Sequence, residues 1–161
     1  MLCWHDMRTL YHLATAAFLA LGALPAQARL GETEKEIEKR YGPPVRKLMA
    51  ATKRDKTRLY SFKGMQIKVT FLDGKSQLEN YSRPSTKKLI ESEINLLMKV
   101  NAPDLEWLEL KAENDDRSWV SQDAAFGVTY EDGELRIFTK EVLLWFGEAQ
   151  NNAVKEGLEG F

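Results

Sequence analysis

Three pairs of carboxylates are the residues of this 161-residue chain whose spacing comes nearest to catalysis: Glu91 with Glu93, Asp115 with Asp116, and Glu131 with Asp132. Two carboxylates divide acid and base work when their surroundings drive their pKa values apart. That calls for an apolar context that raises one pKa, and none of the three pairs sits in one. Glu91 and Glu93 read as first-turn helix residues, where the helix dipole favours negative charge. The other two pairs fall in turn or loop sequence. Asn114, Asp115 and Asp116 supply oxygens for calcium, without the spacing or the glycine of an EF-hand loop. No catalytic residue, metal ligand set or cofactor is therefore assigned, and a carboxylate-dependent hydrolase stays as an alternative that needs a buried acidic pair in a cleft.

Thiol and imidazole chemistry depends on where the chain is cut. The single cysteine, Cys3, and both histidines, His5 and His12, precede residue 29. Residues 13–24 form an apolar run ending at Pro25 and the small-residue site Ala26-Gln27-Ala28, the form of a secretory signal peptide over residues 1–28. Cys3 and Asp6 precede Arg8, so translation starts at Met1 or at Met7. Cleavage after Ala28 predicts a periplasmic or secreted product without a lipid-anchor cysteine. It would remove zinc sites built on His or Cys, Ser-His-Asp arrangements and disulfides together. The apolar run is shorter than the roughly 20 residues a membrane span needs, and no later segment approaches that length. About 130 residues remain, enough to bury roughly two-thirds of the unfolded surface in one domain.

The elements that position these residues are spelled twice. Residues 69–75 read VTFLDGK and residues 128–134 read VTYEDGE. A gapless shift of 59 positions also sets Leu30, Thr33 and Ile37 on Leu89, Ser92 and Leu96, Pro44 on Pro103, Arg58 on Arg117, and Tyr60 on Trp119. The spacing predicts an α+β fold of two tandem repeats, residues 30–83 and 89–142, each a short helix followed by an antiparallel β-meander. Two unrelated strand-turn-strand units sharing turn chemistry would give the same local match. In the first repeat Thr33 and Glu36 make a capping box and Gly42-Pro43-Pro44 stops the helix. In the second, Ser92 or a start near Thr86 opens the helix. Met65, Ile67, Val69 and Phe71 alternate with polar residues as one buried strand face, and Asp73-Gly74 and Asp132-Gly133 supply tight hairpin turns. Shorter strands are expected over residues 45–51, 58–63, 105–110 and 117–122, with charged loops at 52–57 and 111–116. Residues 143–161 are read as a C-terminal helix, continuing a pattern that begins at Glu141, with a frayed end.

This layout resembles the modules of the SmpA/OmlA outer-membrane assembly lipoproteins and of the β-lactamase inhibitor protein family. Thr33, Ile37, Gly42, Pro44 and residues 69–74 carry the resemblance, with echoes at Ser92, Leu96, Pro103 and residues 128–133. Both groups bind proteins and catalyse nothing, so the resemblance implies an interaction role in the cell envelope. The lipidated cysteine of the first group and the disulfides of the second have no counterpart here, so it implies neither outer-membrane anchoring nor enzyme inhibition.

The overall net charge of −1 conceals an opposition between halves: residues 30–83 carry 13 basic and 7 acidic side chains, residues 89–142 carry 5 and 13. Such fields steer association and fix register more than they add affinity. They are read either as solvated faces or as the basis of self-association or of binding to another envelope protein. Lys53, Arg54, Lys56 and Arg58, followed by Tyr60 and Phe62, are too weak a pattern for nucleic acid, and none is expected as a partner. Candidate contact residues are the aromatics Tyr60, Trp107, Trp119, Tyr130, Trp145 and Phe146, because Trp and Tyr bury large areas while losing few rotamers. Each also fits a core position. An uncovered sheet face lined by these rings predicts protein binding, whereas a deep enclosed cavity would indicate a small apolar or aromatic ligand.

Overall fold

The computed structural model describes residues 30–50, 52–84, 87–110 and 116–158. The expected leader over residues 1–28 and the end at 159–161 lie outside them. The described residues form an α+β fold of three helices and one eight-stranded antiparallel sheet. In chain order the elements are α1 (Glu34–Tyr41), β1 (Arg46–Leu48), β2 (Asp55–Phe62), β3 (Met65–Leu72), β4 (Lys75–Ser82), α2 (Glu91–Asn101), β5 (Trp107–Leu110), β6 (Arg117–Ser121), β7 (Phe126–Glu131), β8 (Glu134–Thr139) and α3 (Lys140–Leu158). No helix among the described residues is long and apolar enough to cross a membrane.

Helix α1 begins as its sequence dictates. The Thr33 N–H donates to the Glu36 carboxylate at 2.7 Å and the Glu36 N–H to the Thr33 hydroxyl at 3.4 Å, closing a capping box. Gly42 ends it at φ 84°, a left-handed backbone that glycine adopts without strain. Ile37 and Tyr41 are its buried residues. Just upstream, the Gly31 and Glu32 N–H groups both donate to the Ser76 hydroxyl at 3.1 Å, which ties the helix entry to the start of β4.

The second helix departs from expectation. It starts at Glu91 with Ile90 as the residue before it, and the Ile90 N–H donates to the Glu93 carboxylate at 3.1 Å. Ser92 therefore lies inside the first turn. Ile94, Leu97, Met98 and Asn101 are buried, whereas Leu96 is 60% exposed. A 59-residue shift thus pairs buried Ile37 with a solvent-facing leucine; aligning the two helix starts changes the shift to 57. Two further boundaries differ. Strand β2 already begins at Asp55, inside the expected loop, and α3 already begins at Lys140.

The sheet order is β1-β2-β3-β4-β8-β7-β6-β5, so two four-stranded meanders join edge to edge through β4 and β8. One row of opposed residues crosses the whole sheet: Lys47, Arg58, Val69, Glu79, Ile137, Val128, Trp119 and Glu109. Directly opposed residues share a face, and this face carries the main core. Tyr60, Ile67, Phe71, Tyr81 and Leu135 join it, packed against Ile37 and Tyr41 of α1 and Ile94, Leu97 and Met98 of α2. On the opposite face, Val142 and Trp145 of α3 cover Leu72, Leu78 and Phe138.

Candidate functional site

The six candidate aromatics do not form one open face. Tyr60 is fully buried, its ring 5.9 Å from that of Tyr41, and burial pushes its phenol pKa up to about 12. Trp119 and Trp145 are each only 7% exposed, on opposite sides of the sheet. Tyr130 is half-buried, its hydroxyl donating to the Leu89 carbonyl at 3.1 Å. Trp107 is half-buried against the main core, while Phe146 is exposed with its ring 4.8 Å from that of Trp145. Tyr60 is thus out of reach of any partner. The reason is phase: every ring on β2, β5, β6 and β7 points to the face that α1 and α2 cover.

Around the edge strand β5, which pairs only with β6 among the described residues, the structure leaves aliphatic side chains open. Leu108 and Leu110 point away from the main core and are 52% and 50% exposed. Leu108 is opposite Val120, which is opposite Gly127, which is opposite Phe138. Leu110, Val120, Gly127, Phe138 and Leu143 of α3 line an apolar shelf holding a cavity of about 270 Å³, with Leu108 next along the edge. On the other flank of β5, Trp107, Trp119, Met98 and Leu105 line a cleft of about 340 Å³ whose polar rim includes Lys99 and Glu109. Trp107 and Trp119, candidate aromatics from different strands, meet in this cleft. The guanidinium of Arg117 lies 4.6 Å over the Trp119 ring and is held by Glu109 at 2.8 Å and by Glu91 at 2.5 Å.

Gly127 shapes the shelf. A Cβ there would lie 2.6 Å from Phe138 Cζ, far inside van der Waals contact. Gly127→Ala is therefore expected to force the Phe138 ring off its rotamer and to lower stability by about 1–3 kcal/mol. Urea unfolding would show the loss, and a preserved midpoint would mean that the ring moves freely.

Of the acidic pairs singled out by spacing, Glu91 with Glu93 and Glu131 with Asp132 are structural at the surface. Glu93 pairs with Arg83, whose hydrogen bond holds its carboxyl below the usual range. Glu91 pairs with Arg117, and Glu131 with Arg136 at 3.0 Å. Asp132 occupies the β7–β8 turn at φ 52°, and Asp115 lies outside the described residues. Sequence reasoning missed the one carboxylate that is fully buried among the described residues. Glu79 of β4 accepts hydrogen bonds from Tyr41 at 3.1 Å and from Tyr81, and Asn101 of α2 donates to the Tyr81 hydroxyl at 2.9 Å. Burial raises its pKa, opposed by the Tyr81 hydrogen bond and by Arg40, whose Nη1 is 4.0 Å away. With no exposed surface, this carboxylate meets no substrate. Its role is to join α1, α2 and β4.

No family model matches the chain, and no curated protein matches it. Among solved structures it is similar to a cysteine-rich secretory protein from Staphylococcus aureus, with 13% identity and a TM-score of 0.40 over 71% of this chain and 46% of that one. It is also similar to an extracellular protein containing an SCP domain from Bacillus anthracis, with 13% identity and a TM-score of 0.41 over 72% and 46%. The chain spans less than half the length of these two structures, and likeness at this level assigns neither fold nor function.

Proposed function

We propose that this protein is an exported, non-catalytic protein-binding module of the cell envelope, built from two tandem helix-plus-meander units, and that β5 is its contact edge. One observation carries the reading: an edge strand whose outer side is unpaired among the described residues, with Leu108 and Leu110 half-exposed beside the Leu143 shelf. An extended segment laid along such an edge gains main-chain hydrogen bonds, and pockets for its alternate side chains give specificity. The repeated order of helix then four strands supports the tandem reading, as does the reuse of Asp-Gly at φ values of 51° and 82°, then 52° and 80°. The resemblance to envelope binding modules points the same way.

Replacing Leu110 in the producing cell by a photo-crosslinking amino acid is expected to give an adduct with a second protein. The same replacement at exposed Ser61, far from β5, should give none. Adducts from neither position, or equally from both, would sink the reading. The cleft beside Trp107 supports a second one, a small apolar or aromatic ligand. Native mass spectrometry of the protein from cells would then show a small added mass that Trp107→Ala abolishes.

A further inference from the structure

The two edges of the sheet carry complementary chemistry. At one edge β1 offers Arg46, Lys47 and Leu48, all accessible, flanked by Val45 at 62% and Met49 at 94% exposure. At the other, β5 offers Leu108, Glu109 and Leu110, preceded by exposed Asp104 and Glu106. Each edge strand pairs on one side only among the described residues. All seven neighbouring pairs in the sheet are antiparallel, so eight strands alternate in direction and β1 runs opposite to β5. A copy displaced across the sheet, without being turned over, therefore brings its β1 antiparallel to the β5 of its neighbour. Helix-covered faces stay on one side.

We propose that a second copy of this chain docks its β1 edge on β5, continuing the sheet from molecule to molecule with Lys47 opposite Glu109. Both residues belong to the row that crosses the main core face, so their side chains emerge on the same side of the continued sheet. That register also sets Leu48 opposite Leu108 and brings exposed Met49 opposite Trp107. Main-chain hydrogen bonds and the apolar pairs hold the strands, while the charges choose the register. The two patches differ, so the contact is heterologous, and copies add head to tail into a ring or a filament. The proposal rests on the reading of β5 as a binding edge and names its partner.

Sedimentation velocity tests it on the protein as recovered from cells. Wild-type protein is expected to form a concentration-dependent series of species at about 0.05 M salt that weakens at least tenfold at about 0.5 M. Lys47→Glu alone and Glu109→Lys alone should each stay monomeric, because like charges then meet at the interface. Mixing the two variants in equal amounts restores opposite charges at every contact and should restore the series. A mixture that stays monomeric while both variants keep wild-type unfolding midpoints overturns the proposal, as does a wild-type protein monomeric at low salt. If that happens and Leu110 still crosslinks a different protein, only the self-pairing falls. If Leu110 yields no adduct either, the binding-edge reading falls with it.

Discussion

Arg40→Met is expected to lower the unfolding free energy by about 3 kcal/mol near neutral pH and by much less at about pH 4. Glu79 is 0% exposed, and Arg40 Nη1, 4.0 Å from its Oε1, is the cation that faces it. Burial already raises the Glu79 pKa above its ordinary value of 4.5. A carboxylate with a raised folded pKa contributes most to stability below its unfolded pKa, and that contribution is lost as pH rises through the folded value. Removing the cation raises the folded value further, so the loss grows with pH above 4.5. Glu79→Gln placed in the Arg40→Met background should recover much of the difference near neutral pH, because no charge then remains to be buried. Arg40 also pairs with Glu32 and lies 5.3 Å from the Tyr41 ring. Glu32→Gln is the comparison: it removes the other partner of Arg40 together with a negative charge that raises the Glu79 pKa, so its pH dependence should differ from that of Arg40→Met. Urea unfolding of the four proteins across pH measures all of this, and equal losses from Arg40→Met at both pH values would refute the coupling to Glu79.

The burial of Glu79 shows where the sequence stops being legible. The Asp73-Gly74 turn sets Leu72 opposite Lys75 and Phe71 opposite Ser76. Continued without interruption, that register would put Leu78 opposite Val69 in the core and Glu79 opposite Lys68 toward solvent. Instead the pairing slips by one residue between Thr70 and Phe71, so Leu78 faces Thr70 and Glu79 faces Val69. A single-residue slip turns every later side chain to the other face. The second meander has no slip, and on β8, the counterpart of β4, Leu135 and Ile137 are buried. The composition of β4 fits either register; what accompanies the bulge is tertiary, with Ser76 holding residues 31 and 32 and Tyr41 and Tyr81 meeting the inward carboxylate.

Local signals were read more directly. The capping box of Thr33, the stop at Gly42 and the two Asp-Gly hairpins each depend on a few adjacent residues whose backbone needs are fixed by their chemistry. The third hairpin turn, Lys63-Gly64 at φ 49° and 74°, carries the same signal. The phase of α2 did not follow from the matched hairpins, because helix and strands shift independently between the two halves. The open shelf was illegible for a different reason. Leu108, Leu110 and Leu143 read as core residues by type, and only the place where α3 lies decides that it covers Phe138 and leaves them bare.

Trp119→Ala is expected to destabilise the protein by about 3–4 kcal/mol, and Trp107→Ala by well under half of that. Both rings line the cleft beside β5 and both were candidates for contact, so stability separates their roles. Trp119 lies within the core row, between Val128 and the edge residue Glu109, with 7% of its surface exposed. Truncation there leaves a hole under α2 and takes away the ring on which Arg117 lies. Trp107 sits on the edge strand with one side open, where neighbouring side chains and water can close over the gap. Urea midpoints with unchanged slopes would report the two losses. Equal losses would place Trp107 in the core with Trp119 and leave the cleft without a ring free to meet a ligand. A small loss at Trp107 leaves a folded variant in which crosslinking from Leu110 and self-association can both be measured. The contribution of that ring to recognition then becomes separable from its contribution to the fold.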